Sequence, residues 1–332
     1  MVIMKYKTMN EMIKKMGLMC IAGLMSTSIF AQEDSSFSLF DEPKAPIDEK
    51  VQFAFKTTKV VNLQSLELVD AGVFDFKMSH RFGALNSGAA KFNSEDAVNA
   101  FGLDVATIRL GGEYGVNENL MVGLGRYNVK SEKGVDAYVK YRLMHQTSDN
   151  KKPLSILLLG AVDYKNTQYN QTVIGIAGPV TMPLGVAGKN RLSYVGQVII
   201  GKKVNDDFSW VISPTVVHSG MNTRYDGASE SFVSTGTDRT QFALGMGFRN
   251  KLSMRTSLNM EYIPILNGNG DFYNSFSVGF DVETGGHVFQ FDFTNSVGMN
   301  ESMFITRTND RWGAAGVRLG FNLHRVFTVV ER

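Results

Sequence analysis

Gly134-Val135-Asp136-Ala137-Tyr138-Val139-Lys140-Tyr141-Arg142-Leu143 alternates without a break. Val135, Ala137, Val139, Tyr141 and Leu143 fall on one side of an extended chain, and Asp136, Tyr138, Lys140 and Arg142 on the other. A repeat of two is the signature of an amphipathic β-strand. The same alternation runs through 73–82, where Phe74, Phe76, Met78 and Phe82 oppose Asp75, Lys77, Ser79 and Arg81, and His80 is the one polar residue on the apolar side. It returns in 103–116, 240–249 and 252–262, and more weakly in 120–128, 154–164, 191–203, 208–218, 274–281, 287–295 and 313–323. That makes twelve segments, an even number.

The connections sharpen the reading. Asn117 to Asn119, Asn205 to Asp207, Asn250-Lys251 and Glu283 to Gly286 are tight turns, whereas 83–102, 165–190, 219–239, 263–273 and 296–312 are long. Short turns at one end and long loops at the other predict an all-β, transmembrane, antiparallel up-and-down barrel of about twelve strands, with the short turns periplasmic and the long loops extracellular. Two connections fit this poorly, 129–133 being short and 146–153 long. Threading the strands alternately places Tyr141, Phe208, Phe248, Phe280, Phe289 and Phe321 on the apolar face at the short-turn end, and Phe82, Tyr164, Tyr194 and Tyr262 at the other: two aromatic girdles. A soluble sandwich or lipocalin-like barrel would alternate too, but would have no reason for girdles. No apolar run after the first thirty residues is long enough for a membrane helix.

The chain has 332 residues, 43% hydrophobic and 20% charged, with one Cys, which excludes disorder and a disulfide scaffold. Lys5, Lys7, Lys14 and Lys15 precede a mostly apolar stretch from Met16 to Phe30, and Ala31 before Gln32 suits cleavage, so 1–31 reads as an export signal. Its removal takes away four Lys and one Glu and moves the formal charge from +2 to -1, leaving no basic excess that would favour nucleic acid. Residues 32–72 read as a periplasmic lead-in or plug before a barrel over 73–332. Within them Phe53, Phe55, Val60, Leu63, Leu66 and Leu68 fit an extra strand, a helix or a lumenal plug.

Several stretches also carry a resemblance. Phe280-Asp281-Val282-Glu283-Thr284-Gly285-Gly286-His287-Val288-Phe289-Gln290, Phe293 to Ser296, Gly298-Met299-Asn300-Glu301, Asp75 to Gly83 and Leu120 to Arg126 resemble the DUF5777 family of β-barrel proteins from Bacteroidota. The resemblance spans about 56–327 and implies an outer-membrane location. It supplies no catalytic or ligand residues.

Candidate chemistry lies on the inward face. By parity Lys77, Arg81, Arg109, Lys140, Arg142, Arg191, Arg249, Arg255 and Arg318 point inward, with Asp75, Glu113, Asp136, Glu261, Asp281 and Asp292. A lumen of mixed sign either orients a polar solute or locks itself in ion pairs. Of these, Lys77, Arg81, Arg109, Glu113, Lys140, Arg142, Arg255, Glu261 and Arg318 are the lumen-lining candidates, Arg109, Arg142, Arg255 and Arg318 forming a selectivity element. No catalytic, cofactor or metal site is expected: the histidines lack metal spacing, the loop acids lack DxDxDG spacing, and Gly111-Gly112, Gly123, Gly125, Gly245 and Gly247 sit inside strands rather than before a helix. Pro214 predicts a bulge, His287 a turn cap, and the apolar stretch 173–188 packing in the lumen or against lipid. The expected role is a pore for a small polar or amphiphilic molecule. A closed structural or docking barrel is the alternative, and an outer-membrane hydrolase using His80 a distant third. Expected partners are outer-membrane lipid, the barrel assembly machinery and a small solute, without nucleic acid.

Overall fold

The structure, a computed structural model, describes residues 49–85, 102–129, 132–166, 169–175, 178–184, 188–220, 223–226, 231–234, 239–268, 272–312 and 316–330. The expected signal segment and most of the acidic lead-in lie outside them. Strands run in chain order as β1 (Val73–Ala84), β2 (Ala106–Asn117), β3 (Leu120–Val129), β4 (Glu132–Met144), β5 (Ser155–Lys165), β6 (Tyr169–Gly175), β7 (Gly178–Leu184), β8 (Leu192–Lys203), β9 (Phe208–Ser219), β10 (Thr223–Asp226), β11 (Ser231–Ser234), β12 (Arg239–Lys251), β13 (Thr256–Ile263), β14 (Ser275–Thr284), β15 (His287–Thr294) and β16 (Arg318–Thr328). Twelve close into an antiparallel barrel in the order β1-β16-β15-β14-β13-β12-β9-β8-β5-β4-β3-β2. Closure joins the first and last, from Val73 opposite Thr328 to Arg81 opposite Gly320. A barrel has no open edge, as a hydrocarbon solvent requires.

The alternation sets the faces as expected. Leu124 is 65% exposed and Val135, Val139 and Leu143 are exposed with it, whereas Arg109, Asp136 and Lys140 are buried on the inside. At the short-turn end Asn117 Oδ1 accepts from Asn119 N, and Asn205 Oδ1 from Asp207 N and Phe208 N. Gly285 and Gly286 link β14 to β15 with φ of +41° and +94°, a left-handed pair that residues with a Cβ adopt only under strain.

Four expectations need correction. The turn after β12 is 252–255 rather than Asn250-Lys251, because Ser253 Oγ accepts from Arg255 N and Thr256 N and holds a wider loop. Arg255 is therefore an exposed turn residue and does not face the lumen. Phe321 lies opposite His80, towards the long-loop end, because β16 continues to Thr328; Phe327, opposite Phe74, takes its place at the short-turn end. Pro214 makes no bulge. Lacking an N–H, it accompanies a lapse in the β8–β9 pairing beside it, but the register stays constant on both sides. Part of 173–188 forms the β6–β7 hairpin, which joins β10 and β11 in a separate four-stranded sheet.

Candidate functional site: the barrel lumen

The chain reaches the barrel along its short-turn rim. Ser148 N donates to Glu49 O and Val51 N to Gln146 O, so the long 145–154 connection serves as a ledge for the incoming chain. Lys50 pairs with Glu118 at 2.6 Å, Lys203 donates to Gln52 O, Arg249 to Phe53 O and Ala54 O, and Lys56 pairs with Glu283. The Lys50 ammonium holds the Glu118 carboxyl below the usual carboxylate range. Residues 57–66 then fold inward as a hairpin, in which Val60 N donates to Leu63 O at 2.7 Å and Ser65 N to Thr58 O at 2.9 Å. The chain returns to the same rim at Gly72 (φ +80°), whose carbonyl accepts from Val329 N and Val330 N. A Cβ on Gly72 would stand 2.5 Å from Val330 O, so only glycine allows the hairpin to pass into β1 beside the last strand.

The wall is shaped to receive this hairpin. On β5, β8, β9 and β12 the inward residues Leu157, Leu159, Val195, Ile199, Val211, Val217 and Ala243 are apolar and form one cluster with Phe55, Val60, Leu63 and Leu66. Glycines supply the room. A Cβ added to Gly245 would lie 2.5 Å from Leu63 Cδ1, and one on Gly247, Gly201 or Gly279 would crowd Val60, Leu66 or Val61. The opposite wall is polar and satisfies the hairpin backbone. Glu261 accepts from Val61 N, Asn62 N and Leu63 N, Gln290 Nε2 donates to Val60 O, and Arg81 Nη2 to Asn62 Oδ1. Burial of these backbone groups is tolerable only because each finds a partner.

A second segment enters from the long-loop end. Helix α1 (Glu301–Thr306) is capped by Asn300 Oδ1, which accepts from Met303 N, and every residue of the helix is buried. Ser302 Oγ donates to Asp163 at 2.5 Å, and Arg307 pairs with Glu132. The expected external loop 296–312 is therefore partly lumenal, because its polar residues match buried acids on the wall. The two inserts meet: Gln64 Nε2 donates to Glu301 Oε1 at 2.7 Å, and Lys59 Nζ lies 3.9 Å from the same oxygen.

The candidate residues fall into two groups. Lys77 pairs with Glu113 (2.5 Å), Arg81 with Asp292 (3.2 Å), Arg109 bidentately with Asp136 (2.5 and 2.9 Å), and Arg318 with Asp310. Their charges are spent on one another. Lys77 and Arg81 also reach the hairpin, at Thr58 and Asn62, but Lys140, Arg142 and Arg249 differ in having no carboxylate partner among the described residues and donating to chain 53–67 alone. Lys140 reaches Thr58 O, Gln64 Oε1 and Glu67 O, and Arg142 reaches Leu66 O. Asp75 takes His324, Asp281 takes Ser257, Asn259 and Gln290, and Arg191 donates to Lys165 O. His80 is stacked on Phe321 at 5.0 Å and edge-on to Phe82, so its ring serves the outer aromatic face. His287 meets Arg325 across the strand pair rather than capping its turn. Of the three readings the sequence left open for the stretch before β1, the structure takes the lumenal plug; the inward apolar wall that holds it was missed.

A family model described as a membrane bound beta barrel domain, DUF5777, matches residues 55–327. The chain belongs to the DUF5777 family. The match begins at Phe55, inside the rim segment, so the DUF5777 domain includes the lumenal hairpin as well as the strands. A search of curated protein sequences finds no match. Among solved structures, the KdgM porin in complex with disordered oligogalacturonate is 8% identical with a TM-score of 0.44, covering 77% of this chain and 99% of its own. The NanC porin is 8% identical (TM-score 0.43, 77% and 100% covered), and the COG4313 outer membrane channel from Pseudomonas putida F1 is 13% identical (TM-score 0.42, 79% and 97% covered).

Proposed function

We propose that this DUF5777 barrel is an outer-membrane pore for a small polar or amphiphilic molecule, closed in the present state by the 57–66 hairpin and the 295–310 segment. The observation that carries this reading is the path of the hairpin: it enters and leaves by one end, so it can withdraw without breaking a strand pair. Export through a cleaved 1–31 signal, insertion by the barrel assembly machinery and a periplasmic short-turn end complete the reading. On intact cells an impermeant thiol reagent should then reach Asn190→Cys and not Asp206→Cys; the reverse pattern would invert the orientation.

The continuous apolar packing of hairpin, wall and α1 favours a second reading, a permanently closed structural or docking barrel. Planar-bilayer conductance separates the two. The full chain should show rare openings, and a chain in which 57–66 is replaced by a flexible Gly/Ser linker should conduct steadily. A silent linker variant that folds as a barrel would support the closed reading.

A further inference from the structure

Lys140 and Arg142 on β4 present their charges to hairpin atoms and have no carboxylate within ion-pair distance among the described residues. Directly across the strand pair, Lys140 faces Leu159 and Arg142 faces Leu157. Leu157 in turn faces Ile199 on β8, and Val211 follows on β9. The wall thus places two cations at the border of a continuous aliphatic surface. The hairpin fills this place in kind: Leu63 and Leu66 cover the aliphatic side, and the carbonyl oxygens of Thr58, Leu66 and Glu67 meet the cations. A buried cation satisfied only by neutral carbonyl oxygens gains a stronger, charge-assisted partner when an anionic oxygen replaces them.

We infer that the lumen beneath the hairpin is a binding site for an aliphatic anion, a single-chain carboxylate or its equivalent, whose head takes Lys140 and Arg142 and whose chain lies along Leu157, Leu159, Ile199 and Val211. This rests on the pore reading and names its solute class. The ligand competes with the hairpin for the same atoms, so arrival of the solute favours withdrawal of the plug. Glu261, which also loses its partners when the hairpin leaves, is on β13, far round the ring from β4, and sets the far side of the passage against anions. The site is therefore cationic on the β4 side, while Arg249 on β12 keeps Phe53 O and Ala54 O of the rim segment, which lies outside the hairpin.

The probe is decanoate carrying a terminal diazirine, photolysed with the refolded full chain in detergent and mapped by peptide mass spectrometry. Adducts should fall on 155–165 and 192–203, be removed by excess decanoate, and resist excess decanol. Lys140→Gln with Arg142→Gln should weaken labelling about tenfold, the scale of a lost charged hydrogen bond. Leu63→Ala with Leu66→Ala, which trims the plug and spares the wall, should strengthen it. Equal competition by decanol, or labelling confined to lipid-facing residues in both the native chain and the trimmed chain, would overturn the inference. Conductance of the trimmed chain is read in parallel. A conducting barrel without lumenal labelling sinks the ligand class alone, and lumenal labelling without conductance sinks the pore alone.

Discussion

Lys59, on the hairpin that enters from the short-turn end, stands 3.9 Å from Glu301, on the helix that enters from the long-loop end. Both side chains are nearly buried, and Gln64 completes the contact. The two inserts therefore latch each other as well as the wall. Glu301→Ala leaves the Lys59 ammonium with the Met299 carbonyl alone and the Gln64 amide N–H without its acceptor, a loss on the order of 1–3 kcal/mol. The open fraction of single channels should rise about tenfold or more, and an unchanged open fraction would remove the latch from the account.

The Arg109–Asp136 pair belongs to the wall and should govern barrel stability rather than opening. Arg109→Met strands a buried carboxylate and should cost about 3–5 kcal/mol in urea refolding, most of it recovered by adding Asp136→Leu. Conductance of the double variant should match the native chain. A single variant as stable as the double would mean that the pair is solvated.

Leu124, mid-strand on β3, is exposed on the outer face of the barrel. Leu124→Lys should cost about 2–4 kcal/mol if it lies near the bilayer midplane. A neutral result in vesicles would shift the register by one residue and exchange the two faces.

Gly245 and Leu63 make a compensating pair. Gly245→Val puts carbon where Leu63 Cδ1 now sits and should push the hairpin outward, raising protease cleavage within 57–66. Leu63→Ala added to Gly245→Val should restore protection, because the new methyls fill the space left by the old ones. Cleavage unaffected by either change would show that the hairpin is not seated on β12.

The legible part of this molecule was set by its period of two. Every strand of the barrel announced itself, and the faces of β1, β2, β4 and β12 followed from parity alone. Two of the weaker segments, β5 and β8, were weak for a reason: Leu157, Leu159, Val195 and Ile199 face inward as apolar residues, so both sides of these strands look alike. A water-filled lumen has no use for such residues, and together with inward Gly201, Gly245, Gly247 and Gly279 they are the sequence trace of a lodged segment. The hairpin itself left no periodic trace, since its backbone bonds to side chains such as Glu261 rather than to a neighbouring strand. Arg255 was misplaced because Leu252 and Met254 continue the alternation through what is a turn closed by Ser253.

A reversible tether distinguishes a removable plug from a fixed one. Gly279 and Val61 are close enough for one, a Cβ on Gly279 lying 2.9 Å from Val61 Cγ2. Cys20 is the one native cysteine, so in a chain made to begin at Gln32 the pair Val61→Cys and Gly279→Cys gives a single possible bridge. Single-channel recording of this variant should show silence when it is oxidised and openings on reduction, in the same membrane. Equal conductance in both redox states would contradict the plug, and silence in both, together with a silent linker variant, would contradict the pore.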